Sequence, residues 1–271
     1  MKLVIALDLA SQEENLALLR QIQNSAGILD ASNDCDSHDS RDIWVKVGLR
    51  SFIRDGIKGI EMIKNIADFK IFLDLKLYDI PNTMADAAYE CAKLDIDMIT
   101  LHSSSGKRAM HAVMERLSIL SKRPLVMGVS ALTSFDEAEF AAIYNTNIQN
   151  GVLNLARISQ EAGINGMVCS VQESLAIKTK YNTLLTLTPG IRPFGAESCA
   201  KPNIDSCIDS HLNSSTESSV NSANKDDQKR IATIQDAKNA KSDFIVIGRP
   251  IYASATPQQA ITSILKEINA Q

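Results

Sequence analysis

The chain lacks the patterns that would place it among metalloproteins, membrane proteins or nucleic-acid-binding proteins. Its five cysteines show no CxxC spacing, and with the four histidines they form no recognisable metal signature. No apolar run approaches membrane-spanning length, and no leader with a small-residue cleavage site is present. The formal net charge is −4 without any dense Lys/Arg run, which argues against a nucleic-acid surface. We therefore expect a cytoplasmic protein with reduced thiols and no bound metal.

The order of the predicted elements favours an α/β fold. The 271 residues are 45% apolar, which suffices for one (β/α)8 TIM barrel spanning 1–271, since such barrels commonly use about 250 residues. A doubly wound open sheet would alternate in a similar way. The predicted strands are Leu3–Asp8, Ile43–Gly48, Lys70–Lys76, Met98–Leu101, Leu125–Ser130, Gly166–Ser170, Leu184–Thr188 and Phe244–Gly248. The predicted helices are Glu13–Gln23, Ile57–Ala67, Thr83–Leu94, Lys107–Ser121, Ile148–Ala162, Gln172–Lys180, Gln228–Lys241 and Pro257–Ile268.

Two segments interrupt this alternation. Residues 24–42 and 197–227 are rich in Ser, Asn and Asp and poor in large apolar side chains, so burial cannot easily offset the entropy of ordering them. We expect both to be mobile loop insertions. The second one follows strand seven, on the catalytic face of a barrel, and it alone is expected to affect ligand binding. Its Cys199 and Cys207 have no clear partners, and we interpret them as part of a passive loop.

Ionisable residues cluster at the end of the third predicted strand. Within Ile71–Leu77 the odd-numbered residues are apolar and share one face, whereas Asp74 and Lys76 point together to the other. Asp79 follows just beyond the strand, and Pro81 marks the turn into a helix. A half-buried strand with a water-facing polar side would give a similar pattern. An acid and a base two residues apart nevertheless favour an active site over a core.

Charged residues also end the first two predicted strands, on the same face. A barrel would gather these side chains at its mouth, where such enzymes carry out their chemistry. The set consists of Asp8, Lys46, Asp74 and Lys76. A lone buried charge tends to be neutralised, but a cluster of alternating sign can stay ionised. Such a cluster could hold an ammonium proton donor beside a fixed carboxylate.

Two turns near the end of the chain are candidates for binding an anion. Pro189, Gly190 and Arg192 follow strand seven, and Gly248 and Arg249 follow strand eight. Barrels often hold phosphate at this place, with backbone N–H groups and a nearby helix. The forked guanidinium of Arg249 could pair with two phosphate oxygens. Each turn alone is more often an ordinary loop, but together they favour a phosphate site.

These motifs, in this order, resemble the orotidine 5′-phosphate decarboxylase family almost from end to end. The decapeptide from Asp74 to Thr83 is the most specific of them. The matching segments are Ala6-Leu7-Asp8, Lys46-Val47-Gly48, Phe72–Thr83, Leu132-Thr133-Ser134, Thr188–Arg192, Asp227–Arg230 and Ile247–Pro250. The resemblance implies a dimer of barrels that removes CO2 from orotidine 5′-monophosphate (OMP). The product would be UMP, made in the last step of de novo pyrimidine synthesis without a metal or organic cofactor.

The resemblance also implies a role for each matching residue. Lys76 would protonate C6 of the pyrimidine, and Asp74 would lie beside the departing carboxylate. The other implied contacts are Asp8 and Lys46 with the ribose, Ser130 with the pyrimidine, Gln228 and Arg249 with the phosphate, and Asp79, Ile80 and Thr83 with the site of the neighbouring subunit. Ser130 stands where the family often carries Thr, which keeps a hydroxyl. His102 matches a family position, and we assign it a structural role.

Two alternatives remain open at the level of sequence. A related class of barrels uses the same Asp-x-Lys-x-x-Asp pattern for metal-assisted decarboxylation or aldol chemistry on sugar phosphates. That class would be expected to carry an acid where Lys46 stands, so Lys46 discriminates against it. The other alternative is a catalytically silent phosphate-binding or assembly module. The intact set of Asp74, Lys76 and Asp79 argues against such a module, which has no evident need for these charges.

Overall fold

Eight parallel strands form the centre of the molecule. The computed structural model describes residues 1–23, 43–193 and 230–270. Neighbouring strands pair in chain order and β8 pairs with β1, so the sheet closes. This confirms the predicted (β/α)8 barrel over the open sheet. The strands are β1 (Lys2–Ala6), β2 (Trp44–Gly48), β3 (Lys70–Leu77), β4 (Met98–His102), β5 (Leu125–Val129), β6 (Gly166–Val168), β7 (Leu185–Thr188) and β8 (Phe244–Ile247).

Helices between the strands form the outer layer. They are α1 (Gln12–Gln23), α2 (Leu49–Lys64), α3 (Pro81–Ala92), α4 (Lys107–Ser118), α5 (Glu137–Tyr144), α6 (Ile148–Glu161), α7 (Val171–Lys180), α8 (Ile234–Asn239), α9 (Arg249–Tyr252) and α10 (Pro257–Asn269), and a 3-10 turn covers Ser103–Ser105. Pro81 occupies the first turn of α3, where the missing N–H of proline leaves no helical bond unmade. The helix therefore begins within the decapeptide, two residues after Asp79.

Alternation along the strands separates the barrel interior from the helix layer. Val4, Trp44 and Phe72 pack in one buried cluster inside the barrel. Val45 and Ile71 instead belong to the larger cluster between the strands and the helices. This is the phase that a period of two predicts. It directs the charged residues at the ends of β1, β2 and β3 toward the mouth of the barrel.

Several predicted boundaries are wrong. The helix predicted at 57–67 is the second part of α2, which starts at Leu49 and is interrupted at Gly56, where φ is 59°. The first part escapes prediction because two of its three apolar side chains are exposed, Leu49 at 54% and Ile53 at 75%, so no apolar stripe marks it. Ser170, predicted to end a strand, instead caps α7, and the side chain of Glu173 accepts a hydrogen bond from its N–H.

Other differences concern short elements and the insertions. The sequence pattern does not predict α5, α9 or the 3-10 turn, because each is shorter than the window in which helical periodicity can be detected. The helix predicted at 228–241 is reduced to α8 within the described residues. Both predicted insertions, 24–42 and 197–227, lie outside those residues. In the described ranges, no helix is long and apolar enough to cross a membrane.

Candidate active site

A cavity of about 290 Å³ opens at the carboxyl ends of the strands. Apolar side chains line part of its wall, among them Phe72, Val129 and Leu187. The predicted site residues that line it are Asp8, Lys46, Asp74, Lys76, Pro189, Gly190, Arg192, Gly248 and Arg249. The volume is close to the lower end of the range for small-molecule sites, about 300 Å³. The cavity thus offers an apolar wall for a planar ring and charged groups for polar substituents.

Lys46, Asp74 and Lys76 form a mixed-charge cluster on this cavity. The Nζ atom of Lys76 lies 2.9 Å from each carboxylate oxygen of Asp74. The Nζ atom of Lys46 lies 3.6 Å from Asp74 Oδ2 and 3.4 Å from Asp8 Oδ1. The sequence prediction that these four residues meet is confirmed by these distances. Acids and bases alternate along the chain of contacts, as mutual stabilisation of buried charges requires.

Asp74 stays ionised although it is buried. Its residue is only 8% exposed, and burial by itself raises the pKa of a carboxyl group. The ammonium groups of Lys46 and Lys76, with hydrogen bonds from Lys76 and Thr100, outweigh burial and lower the pKa of Asp74 below its usual value. Asp74 is therefore a fixed negative charge at neutral pH, and it can hold an ammonium group in one place.

The backbone of β3 is irregular where the cluster forms. Leu73 pairs with Ile99 of β4 and Leu77 with Leu101, so the register shifts between them. Lys76 lies in this bulge with a φ of 55°, which is uncommon for a residue with a side chain. Such bulges often redirect a side chain next to an active site. Here the ammonium group of Lys76 is brought onto the carboxylate of Asp74.

The opposite side of the cavity is suited to an anion. Arg192, in the loop after β7, and Arg249, the first residue of α9 after β8, both line it. Gly190 has a φ of 85°, a conformation that glycine adopts without strain. The turn is also tied to the chain beyond it, because Arg192 N donates to Ala232 O at 2.8 Å and Ala232 N donates to Gly190 O at 3.1 Å. This backbone pairing fixes the loop that presents Arg192.

The structure does not place every predicted contact at the cavity. The hydroxyl of Ser130 is buried and donates to Val168 O at 2.8 Å, and Ser130 is not among the lining residues. Thr133, in the Leu132-Thr133-Ser134 motif, lines the cavity instead. The interior phase of β5 runs through Met127 and Val129, so Ser130 continues the outward phase of Val126. Gln228 lies outside the described residues.

Asp79, Ile80 and Thr83 lie away from the cavity of their own chain. All three are exposed, with Ile80 at 69%, and Asp79 Oδ1 accepts a hydrogen bond from Ile80 N at 2.7 Å. Next to them, Tyr78 makes an edge contact with His102, with ring centroids 5.6 Å apart. Partial burial, followed by the charge of Lys76, lowers the pKa of His102. A neutral, packed imidazole fits the structural role predicted for it.

Two polar residues near the site escape prediction from sequence. Thr100 is fully buried and contacts both Asp74 and the backbone of Lys76. A signal for it exists, because it continues the interior phase of Met98 in an otherwise apolar strand. Arg230, buried against Glu173, also donates to Ala131 O and Leu132 O at 3.2 and 3.0 Å. No local pattern could have indicated that contact.

Metal binding finds no support among the residues that the structure describes. They contain no group of three or more His, Cys, Asp or Glu side chains arranged to hold an ion. The ammonium of Lys46 lies between Asp8 and Asp74 and contacts both carboxylates, so these two acids already have a cationic partner. Burial raises the pKa of the Cys169 thiol on the cavity wall well above its usual value, so this thiol is a poor ligand as well as a poor nucleophile.

Comparison with known proteins gives a consistent family assignment. Residues 1–205 and 208–264 match the model of the Orotidine 5′-phosphate decarboxylase / HUMPS family. Orotidine 5′-phosphate decarboxylase of Campylobacter lari is 48% identical over 269 residues, which cover 99% of this chain and 100% of that protein. The enzyme of the same name from Campylobacter jejuni subsp. doylei is 49% identical over 270 residues, with 99% and 100% covered. The crystal structure of orotidine 5′-phosphate decarboxylase from Lactobacillus acidophilus has a TM-score of 0.72 at 27% identity, with 99% of both chains covered.

Proposed function

The chain belongs to the orotidine 5′-phosphate decarboxylase / HUMPS family and is a carboxy-lyase, and from this premise we propose that it converts OMP to UMP and CO2 with Lys76 as the proton donor. The reaction is the last step of de novo UMP synthesis. One observation carries the proposal: the Nζ atom of Lys76 lies 2.9 Å from both oxygens of a buried carboxylate at the wall of a nucleotide-sized cavity. An ammonium group held in this way is available to a ring placed beside it.

The reaction needs a stabilising charge and a proton at one carbon. When the bond between C6 and the carboxylate breaks, CO2 leaves and the electron pair stays on C6. The ammonium of Lys76 stabilises that developing charge and then donates its proton to C6, which gives UMP and a neutral amine. Solvent returns a proton to the amine before the next turnover. The side chain of Lys76 is 35% exposed, so it reaches the cavity that the substrate would occupy.

Asp74 and Lys46 hold the donor in place. Asp74 is fixed by contacts from both lysines, so it would keep the ammonium of Lys76 oriented throughout the reaction. Its negative charge would also lie near the departing carboxylate. We assign the larger effect to preorganised stabilisation of the transition state, since ground-state repulsion is a weaker and contested source of rate.

The phosphate of OMP would bind at the other end of the cavity. Arg249 and Arg192 supply positive charge there, and the backbone of Gly190 and Gly248 allows close approach. Asp8 and Lys46, between the two ends, are placed to contact the ribose hydroxyls. Binding energy from the unreactive phosphate can be used to align the reacting ring against Lys76.

We infer that the active site is completed by a second copy of this chain. Asp79 carries a charge in the decapeptide Asp74–Thr83 but lies outside the cavity of its own chain, next to the exposed apolar side chains of Tyr78 and Ile80. Exposed apolar groups beside a charged residue favour a surface that is covered in an assembly. In a homodimer, Asp79, Ile80 and Thr83 would enter the neighbouring cavity and extend its series of alternating charges.

The family name also includes HUMPS, and one alternative function is therefore metal-dependent chemistry on a sugar phosphate. A metal-dependent barrel acting on a sugar phosphate would be expected to carry a further acid where Lys46 stands, to help hold its cation. Lys46 supplies a positive charge at that position, and an ammonium and a divalent cation would repel each other there. The charge arrangement therefore favours the metal-free reaction.

The direct test follows the ultraviolet absorbance of OMP as purified protein converts it to UMP. We expect turnover that is unchanged by an excess of EDTA. Activity that disappears with chelator and returns with magnesium would support the metal-dependent alternative. Binding of UMP without any conversion of OMP would instead support a silent nucleotide-binding module.

A further inference from the structure

Thr100 of β4 contacts both Asp74 and Lys76 of β3. Its hydroxyl accepts a hydrogen bond from the backbone N–H of Lys76 at 2.9 Å and donates one to Asp74 Oδ1 at 2.9 Å. The residue is fully buried and is not among those that line the cavity. We propose that Thr100 is a positioning residue for the decarboxylation: its hydroxyl fixes the lysine donor and its carboxylate partner in one geometry. The inference rests on the proposed function.

The bulge in β3 explains why the backbone of Lys76 needs this contact. Between the pairs Leu73–Ile99 and Leu77–Leu101, three residues of β3 face Thr100 alone. The interrupted ladder leaves the N–H of Lys76 without the backbone partner that a regular register would supply. A buried backbone donor that lacks an acceptor is costly, and the Thr100 hydroxyl is its acceptor. It thus stabilises the left-handed conformation at Lys76, which is strained for a residue with a side chain.

The second bond fixes the carboxylate. A hydroxyl has one hydrogen to donate and lone pairs to accept, and here the hydrogen goes to Asp74 while a lone pair takes the Lys76 amide. Asp74 Oδ1 therefore receives bonds from Thr100 and from the ammonium of Lys76, and this sets the plane of its carboxyl group. The bonds to the Lys76 amide and to Asp74 are both made by Oγ1 of Thr100, so removing this hydroxyl removes both of them.

The consequence is an effect on turnover rather than on binding. Thr100 acts through Asp74 and Lys76, and it lies outside the cavity wall. If the free energy of one hydrogen bond to a charged group is lost from the transition state, the rate constant of the chemical step falls by about 10- to 100-fold. We expect this fall in kcat, with KM and UMP affinity changed only a few-fold.

Three substitutions separate the hydroxyl from the volume it fills. Thr100→Val keeps the branched shape and loses both bonds, Thr100→Ser keeps the hydroxyl and loses a methyl group, and Thr100→Ala loses both features. A purely packing role predicts that Val stays closest to wild type. Our proposal predicts that Ser keeps most of the kcat while Val and Ala lose it, whatever their melting temperatures. A Val variant with kcat equal to or above that of Ser would overturn the proposal.

A readout independent of activity distinguishes failure of this inference from failure of the proposed function. Hydrogen–deuterium exchange of a peptide containing the Lys76 amide is expected to be faster in the Val and Ala variants than in wild type and Ser. Equal protection in all four proteins would overturn the role of Thr100 even if wild type converts OMP. If the wild-type protein does not convert OMP, the proposed function is refuted. The exchange measurement still tests whether the Thr100 hydroxyl protects the Lys76 amide. If Val does not fold, the Ser and Ala variants, which differ by the hydroxyl alone, give both comparisons.

Discussion

At the residue scale, Lys76 combines three properties that are seldom found together. Its backbone is left-handed, its ammonium contacts both oxygens of Asp74, and its side chain still reaches the cavity. The backbone strain is acceptable only because neighbouring groups determine the conformation. A strained residue that carries a reactive group at the mouth of a barrel is typical of an active site.

Replacing Lys76 tests the proton-donor role directly. Lys76→Ala is expected to reduce kcat by at least about 10³-fold, because both electrostatic stabilisation and general-acid catalysis are lost. UMP affinity should change little, since the phosphate binds at the far end of the cavity. The measurements are steady-state OMP turnover and calorimetric titration with UMP. Lys64→Ala is the control, because Lys64 also pairs with an aspartate, Asp95 at 3.1 Å, but lies away from the cavity. Unchanged turnover in Lys76→Ala would exclude the role.

The lowered pKa of His102 should make the free energy of unfolding depend on pH. Its folded pKa is lowered, chiefly by burial and next by Lys76, so the unfolded chain takes up a proton first as the pH falls. The free energy of unfolding should therefore decrease as the pH drops from about 6.5, the usual value for histidine, toward the lower folded pKa. Urea unfolding between about pH 5 and pH 8 should show a smaller slope in His102→Gln than in wild type. His111→Gln, at an exposed histidine, should keep the wild-type slope; the reverse order would contradict the assignment.

At the element scale, Arg230 and the nearby Ala232 join the chain segments that follow β5, β6 and β7. Its guanidinium pairs with Glu173 at the start of α7 and donates to Ala131 O and Leu132 O after β5. Two residues further on, Ala232 pairs with the loop after β7. All three loops contribute to the cavity wall. The ion pair is buried, so each partner depends on the other for compensation of its charge.

A double-mutant cycle measures this dependence. Arg230→Met and Glu173→Gln should each lower the free energy of unfolding by about 3–5 kcal/mol, because each leaves a buried group uncompensated. The double variant should lose clearly less than the sum of the two. Lys93→Met provides the comparison, since Lys93 pairs with Glu90 in solvent, where water and salt screen the two charges, so its loss should change the free energy of unfolding far less. Additive losses from urea denaturation would mean that Arg230 and Glu173 do not stabilise each other.

At the scale of the whole molecule, Asp79 marks the difference between the cavity of a single chain and the active site proposed for a pair of chains. The cavity of a single chain contains the Lys46, Asp74 and Lys76 cluster but not Asp79. The exposed side chains of Tyr78 and Ile80 lie beside it. A two-fold interface presents the same patch from both copies, so each copy could lend its Asp79 to the other. The proposed active site is therefore a property of a pair of chains.

Mixing two inactive variants tests the shared site. Asp79→Ala and Lys76→Ala subunits are each expected to be inactive as homodimers. In a mixed dimer one site carries both changes and the other carries neither, so random mixing should restore about a quarter of wild-type activity. Native mass spectrometry establishes how many mixed dimers form. No recovery in a sample that contains them would rule out the exchange of Asp79 between subunits.

The sequence by itself determined the alternation of strands and helices, the inward phase of the strands and the meeting of Asp8, Lys46, Asp74 and Lys76, whereas the pairing of β8 with β1 decided for a closed barrel over an open sheet. These features follow from a strand period of two and from the fact that parallel strands end at one edge, so a short segment carries the signal. The terminal turns with Arg192 and Arg249 were predictable for the same reason. The contact of Ser130 with the pyrimidine came from the family resemblance alone, since the period of two puts Ser130 in phase with Val126, on the helix side of β5.

Only the tertiary structure decided which polar groups hold the cluster together. Thr100 lies 24 residues from Lys76 and 26 from Asp74, and Arg230 lies 57 from Glu173. Whether such side chains meet depends on strand register, on the bulge in β3 and on how loops close over the barrel. None of these is encoded by local periodicity, because a shift of register changes every partner while leaving each strand's own pattern intact.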